Sequence, residues 1–296
     1  MTLVERAIAN PRFQERYFFL AKRFVAGETE DAAIQVVQRL NADGLAVTLD
    51  YLGEDVFEAK EAQTACRHAL QTLEAIAQAG VDANLSVKLT ALGLSIDEEV
   101  AERNLVEIAK CASRNSDPFV RIDMESSNVV DATLRVFGRV YPVHRNVGIV
   151  LQAYLRRTEQ DIDRAIDLGA RVRLVKGAYK ESAALAYQRM PDIRRQFLSC
   201  AQKLLVRGCY PAIATHDLSL IDAVKSMATD CGVAKDHFEF QLLYGIRPET
   251  QRRLAREGYR VRVYVPFGTH WSGYFYRRLA ERKENVLFVL QSLFAR

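Results

Sequence analysis

Near the end of the chain, at residues 274–282, the run YFYRRLAER sets two arginines side by side behind three aromatic residues. On a helix, Arg277 and Arg278 lie about 100° apart around the axis, so both reach one ligand only if it sits at the edge between them. A carboxylate suits that place, because two guanidinium forks match its planar oxygens. Arg277 and Glu281 are also four residues apart. An in-helix ion pair of about 0.3–0.5 kcal/mol would occupy the first arginine and leave the second without a role.

Other chemistry-bearing residues recur upstream. Lys88 in VKLTALGL is a candidate Schiff-base lysine, as in barrel aldolases, or a counter-ion. Asp123 and Glu125 in RIDMESS are paired carboxylates, suited to a metal or to acid–base work, and with five histidines in the whole chain the metal is the poorer reading. Lys176 and Gly177 in VRLVKGAY put a cation beside backbone that an anion can approach closely, although the same pattern serves an ordinary turn. In ATHD, Thr215 and His216 can hydrogen-bond a cofactor and Asp217 can cap a helix, while a lone histidine is more often structural.

These motifs fall at the ends of short β-rich runs. The runs are 45–49, 84–89, 119–123, 147–152, 171–175, 211–215, 237–241 and 261–265, each followed by a helical stretch. Eight strands alternating with helices predict a parallel (β/α)8 barrel of the TIM type. A doubly wound sheet is the alternative, weakened by the count of eight and by the lack of any G-x-G. Ser95 with Glu98 reads as a capping box, Pro191 and Pro248 as helix openings, and Gly80, Gly169 and Gly258 as helix stops. Residues 1–40 read as a helical segment packed on the barrel of 41–296, with Phe13, Tyr17, Leu20 and Phe24 on one face. The final helix is expected over the barrel mouth.

Each strand carries one polar parity: Thr48 and Asp50; Ser86, Lys88 and Thr90; Arg121, Asp123 and Glu125; Gln152 and Tyr154; Arg171 and Arg173; Thr215; Glu239 and Gln241; Arg262 and Tyr264. Charges facing the helix layer would each cost several kcal/mol, so these sets are placed inside the barrel. Lys88, Arg121, Arg173 and Arg262 can balance Asp50, Asp123, Glu125 and Glu239 in an ionic network. The other reading is a ligand sunk into the mouth, favoured for Lys88, Asp123, Gln152, Lys176, Thr215 and Tyr264, because barrel active sites lie at the carboxyl ends of the strands.

Composition narrows the classes. With 49% hydrophobic and 26% charged residues the chain reads as a soluble globular protein, and a net charge of +4 is too small to argue for nucleic acid. Five scattered cysteines without C-x-x-C fit a reducing cytoplasm and no zinc site. Neither a signal segment nor an apolar run of about 18 residues is found, which leaves contact with a membrane surface open.

Taken in order, VKLTALGL, RIDMESS, VRLVKGAY, ATHD, YVPFG and Y-x-x-R-R-x-x-E-R resemble the proline dehydrogenase family, in its single-function bacterial form. The resemblance implies an FAD-bearing barrel that oxidises L-proline to Δ1-pyrroline-5-carboxylate by hydride transfer to flavin N5, with electrons passed to a quinone. It also implies a cytoplasmic enzyme peripheral on the inner face of the membrane. Carried over by motif, Arg277 and Arg278 would bind the carboxylate, Lys88 would lie beside the substrate, and Asp123 would order the arginine cluster. Tyr264 and Tyr274 would pack on the pyrrolidine ring, and Arg173 would lie near flavin N5. Met124, Gln152, Lys176, Gly177, Ala178, Thr215 and His216 would hold FAD. Glu54 in YLGE would close over the substrate by pairing with Arg277. The bulk of Tyr274 favours proline over 4-hydroxyproline. A lysine aldolase using Lys88 or Lys176, and a non-enzymatic binding module, are the competing readings.

Overall fold

All eight strands run parallel, and the eighth closes on the first. The computed structural model of the chain describes residues 21–53 and 55–280, with side chains as far as Phe275 in the last helix. Phe13, Tyr17, Leu20, Glu54, Glu281 and the side chains of Arg277 and Arg278 lie outside the described residues. In chain order the elements are α1 (Glu30–Ala42), β1 (Ala46–Tyr51), α2 (Ala59–Ala79), β2 (Ala83–Val87), α3 (Glu98–Ala112), β3 (Val120–Ile122), α4 (Ser127–Val140), β4 (Val147–Gln152), α5 (Thr158–Asp167), β5 (Arg171–Val175), α6 (Met190–Arg207), β6 (Cys209–Ala214), α7 (Leu218–Asp230), β7 (Glu239–Leu243), α8 (Pro248–Arg256), β8 (Arg260–Phe267) and α9 (Trp271–Ala280).

The expected barrel is present, and its layers follow from strand parity. Outward residues such as Val47, Leu49, Leu85, Val120, Ile149, Leu174, Phe240 and Val263 are almost completely buried against the apolar stripes of the helices. Each such side chain contributes about 1.5–3 kcal/mol of transfer free energy. Helix ends follow local chemistry. Gly80 takes the left-handed conformation at the end of α2, and prolines stand in the first turns of α6 and α8.

Three local expectations need correction. The capping box at Ser95 is absent, because the chain still turns there and Asp97 caps α3 by accepting the Glu99 amide at 2.7 Å. The helical reading of 1–40 fails over 25–29, since α1 starts only after Thr29, whose hydroxyl accepts the Ala32 amide. In β6 the interior parity belongs to Ala212 and Ala214, which pair with Glu239 and Gln241, so Thr215 lies just past the strand and out of that phase.

The lower interior is an ionic and stacked layer. Arg262 Nε donates to Glu239 Oε1 at 3.0 Å, its Nη1 donates to the Val47 carbonyl at 2.8 Å, and Nη2 lies 3.0 Å from Asp117. Arg121 departs from the expected pairing with a carboxylate. Its Nη1 donates to the Arg171 and Ile149 carbonyls, and its guanidinium lies 4.6 Å from the Phe119 ring centre. Gly148 makes this possible, because a Cβ there would come within 2.8 Å of Arg121 Nη1 and closer still to Phe119.

Burial alone would raise the Glu239 carboxyl, but the charge and hydrogen bonds of Arg262 hold it below the usual range. A depressed carboxyl contributes stability above its unfolded pKa and loses it as pH falls through the folded one. Glu239→Gln is therefore expected to cost about 3 kcal/mol at pH 7. The difference from wild type should shrink as pH falls below about 4.3. Urea denaturation at a series of pH values checks this, and a difference independent of pH would contradict it.

Candidate functional site

At the carboxyl ends of the strands, four side chains, from β2, β5, β8 and the residue after β2, converge on the carboxylate that follows β3. Asp123 follows the three-residue strand β3, and its Oδ1 accepts from Arg173 Nη1 at 2.7 Å and from Ser86 Oγ at 2.8 Å. Its Oδ2 accepts from the Tyr264 hydroxyl at 2.6 Å and lies 3.8 Å from Lys88 Nζ. Lys88 is held in turn by both oxygens of Asp50, at 3.0 and 3.1 Å. Parity explains the meeting, since Asp50 is in register with Ser86 and Ser86 with Arg121, two residues before Asp123.

The electrostatics are those of buried groups. Burial raises the Asp50 carboxyl above its usual range, opposed by the Lys88 charge. Burial, reinforced by Asp123 and Asp50, pushes the Tyr264 phenol well above its ordinary value, so it stays a hydrogen-bond donor. Arg173 is 4% exposed and lies over the Tyr264 ring, 5.3 Å from its centre. Its Nε and Nη2 are buried and meet no acceptor among the described residues. Two buried donors without an acceptor cost free energy unless something else accepts from them, so this place fits an acceptor-rich ligand.

Beside this cluster, the other residues singled out in the sequence form a rim. Met124 and Gln152 are buried, and Gln152 Nε2 donates to the Glu125 carbonyl at 2.9 Å. Glu125 itself accepts from the Thr90 amide and hydroxyl. Gly177 has φ +116, and a Cβ there would lie 2.1 Å from the Tyr154 ring, so only glycine fits. Ala178 is exposed on the same loop. Lys176 Nζ pairs with Asp217 at 2.7 Å, and Arg194 reaches the same oxygen at 2.8 Å. Asp217 stands at the N-cap position of α7, but its carboxylate makes no cap bond and instead accepts from the Ser219 hydroxyl. Burial favours its neutral form, yet bonds from Lys176, Ser219 and Arg194 hold it well below the usual carboxylate range. His216 Nε2 accepts the Leu243 amide at 2.9 Å.

Helix α9 follows β8 directly. Trp271, Tyr274 and Phe275 are buried in a small cluster with Ala21, Phe24, Val25, Leu52 and Ile246, so the segment before α1 and the loops after β1 and β7 seat this helix. Gly245 marks how close the approach is, because a Cβ there would fall 1.7 Å from the Arg23 carbonyl oxygen. The backbone of Arg277 and Arg278 lies in α9.

Asp50 as the anchor of Lys88, Arg194 as a partner of Asp217, and Glu181 bonded to Ser127 were not legible as site residues in the sequence. Asp50 carried a signal, since it shares the polar parity of Thr48. The other two lie on a loop or helix face where a charge reads as solvated. Among the described residues no group of three or more His, Cys, Asp or Glu could hold a metal ion.

Comparison with known proteins gives the geometry a lineage. The family model described as Proline dehydrogenase matches residues 33–291. Proline dehydrogenase 1 of Bacillus subtilis subsp. natto is 44% identical over 273 residues, 92% of this chain and 90% of that protein. Proline dehydrogenase of Deinococcus radiodurans is 38% identical over 297 residues, 99% of this chain and 96% of that protein. Among solved structures, proline utilization A from Bdellovibrio bacteriovorus, inactivated by N-propargylglycine, superposes with a TM-score of 0.83 at 26% identity, covering 90% of this chain and 33% of that one. A family match across most of the barrel, with relatives aligned over nearly their full length, means that the chain belongs to the proline dehydrogenase family.

Proposed function

We propose that this oxidoreductase of proline catabolism uses FAD to take a hydride from C5 of L-proline, giving Δ1-pyrroline-5-carboxylate, and passes the electrons to a quinone. The observation that carries the reading is the buried Arg173 guanidinium, with two donors that meet no acceptor among the described residues, at the centre of the Asp123 cluster. Bound FAD would accept the hydride at N5, so the protein needs no nucleophile of its own. Met124, Gln152, Lys176, Gly177, Ala178, Thr215 and His216 would hold it, with Arg173 beside its reacting face.

The remaining work is orientation and exclusion of water. Arg277 and Arg278 bind the proline carboxylate by charge-assisted hydrogen bonds, on the order of 1.5–3 kcal/mol each. Asp123, with its three hydrogen-bond donors, keeps Arg173 and Tyr264 in place. Lys88, tied to Asp50, sets a fixed positive charge beside the substrate. Tyr264 and Tyr274 pack on the ring, and Glu54 closes over it by pairing with Arg277. Two electrons leave with the hydride, and one proton leaves the amine, which reacts most easily when neutral. Schiff-base chemistry is disfavoured because both candidate lysines are engaged, Lys88 by Asp50 and Lys176 by Asp217.

A quinone acceptor calls for access to a membrane surface from the cytoplasmic side. Among the described residues no helix is long and apolar enough to cross a membrane. Exposed Phe57, Ile96, Leu185 and Met190 all lie on or beside the loops at the mouth end of the barrel, which suits peripheral contact.

Three measurements test the proposal. The purified protein should carry a flavin spectrum that bleaches on addition of L-proline; a colourless protein that cannot be reconstituted with FAD would refute the reading. Arg277→Met and Arg278→Met should each raise KM for proline about 100-fold, the equivalent of a lost charge-assisted bond, with FAD retained. An unchanged KM in both variants would remove the carboxylate assignment. In co-sedimentation with anionic lipid vesicles, Phe57→Ser combined with Met190→Ser should weaken binding, and equal binding would move the contact elsewhere.

A further inference from the structure

The loop from β5 to α6 (residues 176–189) begins with the Lys176-Gly177-Ala178 run and is fastened along one flank to the connection after β4. The Tyr154 amide donates to the Lys176 carbonyl and the Tyr187 amide to the Tyr154 carbonyl, both at 2.8 Å, and the Arg156 amide donates to the Leu185 carbonyl at 2.9 Å. Leu155 and Ala186 form an isolated antiparallel bridge. These are backbone bonds to a neighbouring loop, and none of them reaches the segment that follows β3.

One side chain does. Glu181 Oε1 accepts the Ser127 amide at 2.7 Å, and Oε2 accepts the Ser127 hydroxyl at 2.5 Å, across 54 residues of sequence. Ser127 is the first residue of α4, and that helix end is otherwise poorly provided for. It has no acidic residue in its first turn, and Ser126 at the N-cap position makes no cap bond because its hydroxyl goes to Asn128. The first amides of a helix are unsatisfied and carry partial positive charge, so a carboxylate there is stabilising. Most helices take that carboxylate or hydroxyl from their own N-cap. Here it comes from a different loop.

The location gives the contact its consequence. Helix α4 starts at the last residue of the RIDMESS run that holds Asp123 and Met124, and Glu181 stands three residues beyond Ala178. One carboxylate therefore joins the strand end carrying the central carboxylate to the loop carrying Lys176, Gly177 and Ala178. We infer that Glu181 is a positioning residue that clasps these two loops together and preorganises the cofactor site before FAD arrives.

The inference rests on the flavin reading above. Its physical content is entropic. Without the clasp, FAD must order the loop itself on binding, and that cost appears as lost affinity. Glu181 acts through the loop, not by touching the cofactor.

The test is titration of apoprotein with FAD, followed by flavin fluorescence, with the melting temperature of each apoprotein measured in parallel. Glu181→Ala is expected to raise the FAD dissociation constant about tenfold, because binding then bears the cost of ordering the loop and not the whole worth of the lost bonds. Glu181→Gln, which keeps an acceptor oxygen and loses the charge, should fall between that variant and wild type. Ser127→Ala should weaken binding less than Glu181→Ala, and the double variant no more than Glu181→Ala alone, because the two residues share one interaction. If Glu181→Ala fails to fold, Glu181→Gln and Ser127→Ala, which remove less, decide the matter. Unchanged FAD affinity with a lowered melting temperature would overturn the proposal and leave Glu181 as a helix cap alone. Wild-type apoprotein that takes up no FAD would instead overturn the flavin reading on which the clasp depends.

Discussion

Charge inside a ring of parallel strands is tolerable only when each charged atom finds a partner, and Asp123 is where this requirement is most concentrated. A carboxylate left unpaired there would cost several kcal/mol. It is met by Arg173, Ser86 and Tyr264, with Lys88 close by, so that β2, β3, β5 and β8 are tied to one point. The bonds that make the burial tolerable also hold the side chains that face the mouth. Moving any one partner would leave another polar atom unsatisfied, which is why the cluster is rigid before any ligand enters.

The barrel interior divides along its axis. Lower down, Arg262 pairs with both Glu239 and Asp117, and Arg121 gives one nitrogen to two carbonyls and its face to Phe119, while its Nε meets no acceptor among the described residues. These bonds tie β3 to β4 and β5, and β8 to β1 and β7. Higher up the balance is deliberate but incomplete. Arg173 spends one nitrogen on Asp123 and Ser86, while two others meet no acceptor among the described residues. Position thus adds to pairing: the unmet donors of Arg173 stand beside the strand-end motifs, whereas Arg262, lower down, has every nitrogen engaged.

Around the mouth, the loops that would carry ligand contacts are fastened by interactions that lie outside the motifs. The Lys176-Asp217-Arg194 bonds hold the ends of β5 and β6 to α6, and Glu181 holds the β5 loop to α4. Helix α9 is seated by Phe275, whose ring lies 6.4 Å from that of Phe24 and 5.9 Å from that of Trp271 within the same helix. Function in this fold is therefore borne by loops whose geometry is set by their neighbours rather than by their own sequence.

Local pattern was enough to read the eight strands, the alternation with helices, the inward parity and the order of the strand-end motifs, because period-two alternation and glycine or proline punctuation act over a few residues. It was enough as well to place Lys88, Asp123, Arg173 and Tyr264 on one side of the sheet. It did not say that Arg121 would turn to carbonyls, that Asp97 rather than Ser95 would cap α3, or that Thr215 would fall out of the interior phase. Nor did it pair Asp50 with Lys88 or Glu181 with Ser127. Those outcomes depend on strand register and loop packing, which bring together residues 38 and 54 positions apart, and no local propensity encodes a distance of that kind.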